Sequence, residues 1–169
     1  MRRAKIPLLW RSSDSLYTVV VSRYALKRMS RLAKEHLPNE VGTSLVGSYS
    51  EDGHTAFVLD IAPLPIDSKS SPVSFVRGFL GMKEFFTNLA TRFRRTRFYI
   101  GEWHSHPFAE PDSSSQDKFT HEQIARDKGT GCSEVVMIVL GGDFHKNCHL
   151  NVSVHSARLG LVALNSAHL

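Results

Sequence analysis

Between Arg97 and Asp127 the chain has to change its period. Arg97-Phe98-Tyr99-Ile100-Gly101-Glu102-Trp103-His104 is rich in aromatic and β-branched residues and reads as a strand, with His106 just beyond it. Pro107 stops the strand, because proline brings no ladder donor. Ser113 or Ser114 then caps a helix that runs to about Asp127. A strand handing over to a helix across one short loop demands a sheet with a helix packed beside it.

The same interleaving runs along the chain. Leu16–Val21 is short and β-branched, and Ser22 caps a helix from Arg23 to His36, where Tyr24, Ala25, Met29, Leu32 and Ala33 recur at helical spacing. Glu40–Tyr49 reads as a strand, Glu51-Asp52-Gly53 as a hairpin turn, and Thr55–Ile61 as its second strand. Pro63 to Pro72 reads as a loop. Phe79–Phe93 has a helical period with glycines blurring its start, Val135–Leu140 is an apolar strand, and Leu150–Val154 alternates. Leu159–Leu164 is a last strand or a short helix. There is no repeat and no interdomain linker. The order β-α-β-β-α-β-α-β-β predicts one α/β domain over residues 1–169, with a mixed central β-sheet flanked by helices.

Length and composition narrow the setting. A chain of 169 residues, 41% hydrophobic and 22% charged, can bury one sizeable core. No apolar run approaches the roughly 18–20 residues of a membrane span. The basic start holds only the run IPLLW, shorter than the about 7–15 apolar residues of a signal peptide. Two cysteines make no disulfide framework, so the expected location is cytoplasmic. The formal charge is +5, and Arg92, Arg94, Arg95 and Arg97 fall within one short stretch. Such a cluster either meets an acidic partner or nucleic acid, or is a solvated helix end that complements the helix dipole. Without aromatic interleaving beyond Phe93 and Phe98, the solvated reading is preferred.

The stretch GEWHSHPFAEPDSSSQD carries the chemistry. Strand side chains alternate, so His104 and His106 project to one face and Ser105 to the other. In a helix begun near Ser113, Ser114 and Asp117 share a face, and the intervening loop returns that face to the histidines. Two imidazoles, one carboxylate and an open position make a catalytic zinc site. Zinc lowers the pKa of water to about 7, so such a site also wants an unligated base. Glu40 is the candidate. Glu35, Glu102 and Glu110 compete by position, and Glu102 lies on the histidine face.

His104-Ser105-His106-Pro107, seven residues from Pro107 to Ser113, then Ser114-x-x-Asp117, with Glu40-Val41-Gly42 upstream, resembles the JAMM motif of the JAB/MPN zinc metallopeptidases. That resemblance covers about residues 16–155 and implies the cytidine-deaminase-like JAB/MPN fold. It implies that His104, His106 and Asp117 bind Zn²⁺, that Glu40 is general base and then general acid, and that Ser114 donates to the oxyanion. Two glycines usually follow the Glu and its spacer in that family; here the second is Thr43, which bears on local strand packing.

The resemblance further implies an isopeptidase that cuts after the C-terminal tail of a ubiquitin-like protein or conjugated enzyme. The tail would lie as an added strand, with Ile66–Phe75 covering it. The lack of appended helical arms is similar to stand-alone prokaryotic members, including deconjugating peptidases of cyclic-nucleotide (CBASS) antiphage operons. Sulfur-carrier-processing peptidases and RadC-like nucleic-acid-associated proteins are the alternatives. Elsewhere, His121 reads as a neighbour of the ligand sphere or a surface group, and Cys132 as buried and inert. His145, Cys148 and His149 offer three of the four ligands a second metal would want.

Overall fold

A computed structural model describes residues 8–167. Ten strands and three helices follow in order: β1 (Leu9–Ser12), β2 (Thr18–Val21), α1 (Arg23–Glu35), β3 (Gly42–Tyr49), β4 (Thr55–Ile61), β5 (Lys69–Ser71), β6 (Ser74–Val76), α2 (Met82–Arg92), β7 (Phe98–Pro107), α3 (Ser115–Arg126), β8 (Glu134–Asp143), β9 (Asn147–Ser156) and β10 (Gly160–Ala167). Eight strands close into a ring, β1-β10-β9-β8-β7-β3-β4-β2, and β5–β6 stand apart as a hairpin. The β2–β4 and β7–β8 pairs are parallel and the rest antiparallel, so the sheet is mixed as expected.

Three features depart from the sequence reading. β1 closes the ring by pairing with β2 and β10, where only a short apolar run is legible. The loop expected from Pro63 to Pro72 contains β5. α2 also starts three residues late: the Asp67 carboxylate takes the Phe79 and Leu80 N–H groups, and the turn ends on left-handed Gly81.

The core explains why these elements hold. Ser22 accepts from the Ala25 N–H at 3.0 Å and caps α1. That helix presents Ala25, Met29 and Ala33, fully buried, to inward strand residues such as Val21, Leu45, Ile138 and Leu140. Two alanines let the helix approach closely, and Met29 fills the remaining gap; burying such a side chain contributes about 1.5–3 kcal/mol. α2 covers Val46 and Ala62 with Met82, Phe85, Phe86 and Leu89, and α3 lies over β8 and β9.

A bulge in β7 sets the phase of the site. Leu45 pairs with Gly101 but Val46 with Tyr99, so Ile100 is an extra residue. Counting by twos from Ile100 would send Glu102 and His104 into the core. Instead Ile100 and Trp103 are both core residues, and Glu102 and His104 emerge on the other face. Gly101 makes this possible: its φ is 152°, and a Cβ there would lie 1.9 Å from the Val136 carbonyl oxygen.

Candidate metal centre

β7 and α3 bring His104, His106 and Asp117 together. The two imidazole Nε2 atoms lie 3.1 Å apart, and His104 Nε2 lies 3.4 Å from Asp117 Oδ2. All three ligand atoms fall within 4.8 Å of one another. Ligands about 2.0–2.2 Å from a tetrahedral zinc stand roughly 3.3 Å from each other, so the observed spacing fits such an ion. Two nitrogens and a carboxylate oxygen also suit zinc chemically.

The electrostatics fit the same reading. Burial, then the neighbouring His104, push the His106 pKa below its ordinary value and favour the neutral ligating ring. Burial acts to raise Asp117, but the His104 hydrogen bond and charge, with the Ser114 contacts, hold it below the ordinary carboxylate range. Burial raises Glu40, with His104 acting against and Asp117 with that shift. Glu40 Oε1 lies 3.9 Å from His106 Nε2, beyond a direct hydrogen bond and close enough to face the same space.

Each group is held from behind. His104 stands opposite Gly42, where a Cβ would meet the Trp103 carbonyl oxygen at 2.2 Å and His104 Cβ at 2.8 Å. The glycine therefore lets β3 approach β7 beside His104. Thr43, in place of a second glycine, is buried and satisfied: its hydroxyl donates to the Pro63 carbonyl at 3.0 Å. Ser105 clips the chain beside Glu40, accepting from the Val41 N–H at 3.0 Å and donating its own N–H to the Val41 carbonyl at 2.8 Å. On the other side, Glu40 N–H donates to the Ser71 carbonyl at 2.8 Å, and the Ser70 hydroxyl donates to the Glu40 carbonyl. The sequence reading assigned no role to Ser105, Ser70 or Ser71.

Ser114 caps α3. Its hydroxyl donates to Asp117 Oδ2 at 2.7 Å and accepts from the Asp117 N–H at 3.1 Å, while its own N–H donates to Asp117 Oδ2 at 2.8 Å. This capping box aims the Asp117 carboxylate. His121 is buried, with Nδ1 2.8 Å from the Asp117 carbonyl. A carbonyl only accepts, so Nδ1 carries the proton; burial lowers this ring's pKa to about 4 and keeps it neutral.

The rival carboxylates lie elsewhere. Glu35 is exposed at the end of α1, and Glu110 is exposed in the loop after β7. Glu102 accepts from Arg77 at 3.0 Å and Ser44 at 3.1 Å, tying the base of the β5–β6 hairpin to the sheet. His145, Cys148 and His149 do not converge: Cys148 packs toward the core, and its strand neighbour His149 is exposed on the other face. Cys132 is a buried free thiol whose pKa burial raises, in keeping with an inert group.

A histidine pair on a strand, a carboxylate on the next helix and a second carboxylate just before the adjoining strand form a candidate metal centre of the JAB type. The chain belongs to the prokaryotic homologs of the JAB domain, a family whose profile matches residues 22–156. It is similar to an Enterobacter hormaechei subsp. hoffmannii protein named CD-NTase/cGAS isopeptidase, 36% identical over 143 residues, covering 85% of this chain and 78% of that protein. The solution structure of protein DSY2949 from Desulfitobacterium hafniense shares the fold, with a TM-score of 0.57 at 18% identity over 89% of this chain and 90% of that one. Among the described residues, no helix is long and apolar enough to cross a membrane.

Proposed function

We propose that the protein is a zinc-dependent isopeptidase that cleaves after the C-terminal tail of a ubiquitin-like protein or conjugated enzyme, reversing conjugation in bacterial antiphage defence. The enzyme is a peptidase of the JAB type. The observation that carries this reading is the convergence of His104, His106 and Asp117 beside an unligated Glu40, in a chain 36% identical to a named isopeptidase.

His104, His106 and Asp117 would hold the ion. When bound, zinc supplies Lewis-acid polarisation of the scissile carbonyl and lowers the pKa of water. Glu40 takes a proton from the attacking water at a carboxylate oxygen. It then returns that proton to the amine nitrogen as the peptide bond breaks, so one group serves as base and acid. The Ser114 hydroxyl turns from Asp117 Oδ2 toward the developing oxyanion, keeping its bond from the Asp117 N–H. The β5–β6 hairpin, fastened to Glu40 through Ser70 and Ser71, flanks the site and would lie along an extended substrate tail.

The test is a ubiquitin-like protein fused through its C-terminal tail to a reporter, incubated with the enzyme with and without chelator. Cleavage at the tail, lost on chelation and restored by zinc, is the expected result. Salt-sensitive DNA binding with no cleavage of any fusion would instead favour a nucleic-acid-associated role.

Replacing Ser114 by alanine is expected to slow turnover about 10²–10³-fold at saturating zinc, the effect of losing one oxyanion donor. Loss of the cap alone would cost about 1 kcal/mol of stability and leave turnover intact. Steady-state kinetics and thermal melting on the same sample separate the two roles.

A further inference from the structure

A second concave site lies between the first turns of α1 and the C-terminal half of α2, and none of the metal-centre residues lines it. It encloses about 520 Å³, within the roughly 300–1,000 Å³ of small-molecule sites. Tyr24, Pro63, Phe85 and Leu89 give it an accessible apolar floor, and exposed Asn88 stands at its rim. One end is closed by Arg28, which is spent on the Asp60 carboxylate and the Ile61 carbonyl.

The other end carries two guanidinium groups of a different kind. Arg92 and Arg97 lie over one ring, their Cζ atoms 5.4 and 4.1 Å from the Phe93 centroid. The turn between them makes this possible. Arg94 and Arg95 are consecutive non-glycine residues at left-handed φ, 48° and 61°, and they reverse the chain so that Arg97 returns to the ring beside Arg92. Backbone of this kind costs energy and persists where its surroundings demand it.

Helix-end solvation does not account for the pair. The last carbonyls of α2 are already satisfied by backbone: Phe93 N–H donates to the Leu89 carbonyl at 3.0 Å and Arg95 N–H to the Ala90 carbonyl at 2.8 Å. Among the described residues, neither Arg92 nor Arg97 has a carboxylate partner or a side-chain hydrogen bond. Both guanidinium groups are thus gathered at one ring with their N–H donors free, an arrangement suited to an oxyanion.

We propose that this groove binds a nucleotide, with phosphate on Arg92 and Arg97, the base on the apolar floor of Pro63, Phe85 and Leu89, and the Asn88 amide at the base edge. Two unbalanced positive charges at one end call for a phosphate. An apolar floor ending in one side-chain amide suits a flat heterocycle better than an acidic peptide, whose charges would repeat along its length.

The experiment is calorimetric titration of the zinc-loaded full chain with AMP, adenosine, inorganic phosphate, an acidic peptide and a single-stranded oligonucleotide. AMP is expected to bind one per chain, with adenosine and phosphate each weaker by about tenfold or more, since each lacks half of the contacts. The double variant Arg92→Ala/Arg97→Ala is expected to lose about 100-fold in AMP affinity, at roughly tenfold for each charge-assisted contact. It should still cut a tail fusion at the unmodified rate, which shows that it is folded. Silence toward AMP at millimolar concentration, or equal AMP affinity in the double variant, overturns the proposal. So does phosphate binding as tightly as AMP, which would leave the floor without a role. Binding only to the oligonucleotide or only to the acidic peptide assigns the groove to that class instead and also overturns it.

Discussion

Glu40→Gln is expected to abolish cleavage while the protein keeps its fold and its zinc. The glutamine has the same shape and reaches the same place, but its amide takes no proton at neutral pH. Glu40 is proposed to move the proton twice, first from water and then to the leaving amine, so its loss should cost about 10²–10⁴-fold in turnover. Zinc content should not fall, because the carboxylate stands 3.9 Å from His106 Nε2 and is not one of the three converging ligand atoms. Stability should not fall either. Burial raises the Glu40 pKa, so the folded state favours the protonated carboxyl, and its stabilising contribution fades as pH rises through that raised value. A neutral amide is free of that dependence, and the metal-free variant should melt at or above the parent temperature at neutral pH. Turnover within a few-fold of the parent would remove Glu40 from the reaction.

Part of this site was legible in the sequence because local rules determine it. Period two places His104 and His106 on one face, Pro107 closes the strand, and Ser114 with Asp117 forms a cap three residues apart. Which face those histidines occupy was not legible. It depends on the bulge at Ile100 and Gly101, which exists only in the pairing of β7 with β3. The sequence already favours Glu40 as the candidate, but what separates it from Glu102 in space is tertiary. Both have acidic side chains near the histidine strand, but Arg77 and Ser44 claim Glu102 from outside the motif. Ring closure rests on Leu9 pairing opposite Ala167, a contact between the two ends of the described chain that no local period announces. The three-residue strands of the β5–β6 hairpin carry too little alternation to stand out, and their attachment to Glu40 runs through backbone and serine hydroxyls.

Removing Asp117 tests the metal reading at the group with the most connections. Asp117→Ala takes away one of the three converging donor atoms proposed to hold the ion and the acceptor for both the Ser114 hydroxyl and the Ser114 N–H. Two imidazoles 3.1 Å apart then remain without the anion that faces them, and zinc content is expected to fall from one per chain to near none after dialysis. The capping box is lost with it, at about 1 kcal/mol. Asp117→Asn separates these effects: its side-chain oxygen can still accept at the cap, but it lacks the charge, so the fold should be nearly restored and the metal should not. pH gives an independent check. The Asp117 pKa is depressed in the folded protein, so its stabilisation is present above the ordinary carboxylate range and is lost as pH falls through the depressed value. Both variants should lack that acid-dependent component in thermal melts. One zinc per chain retained by either variant after dialysis would place the ion on other ligands, and the roles given to His104, His106 and Glu40 would fail with it.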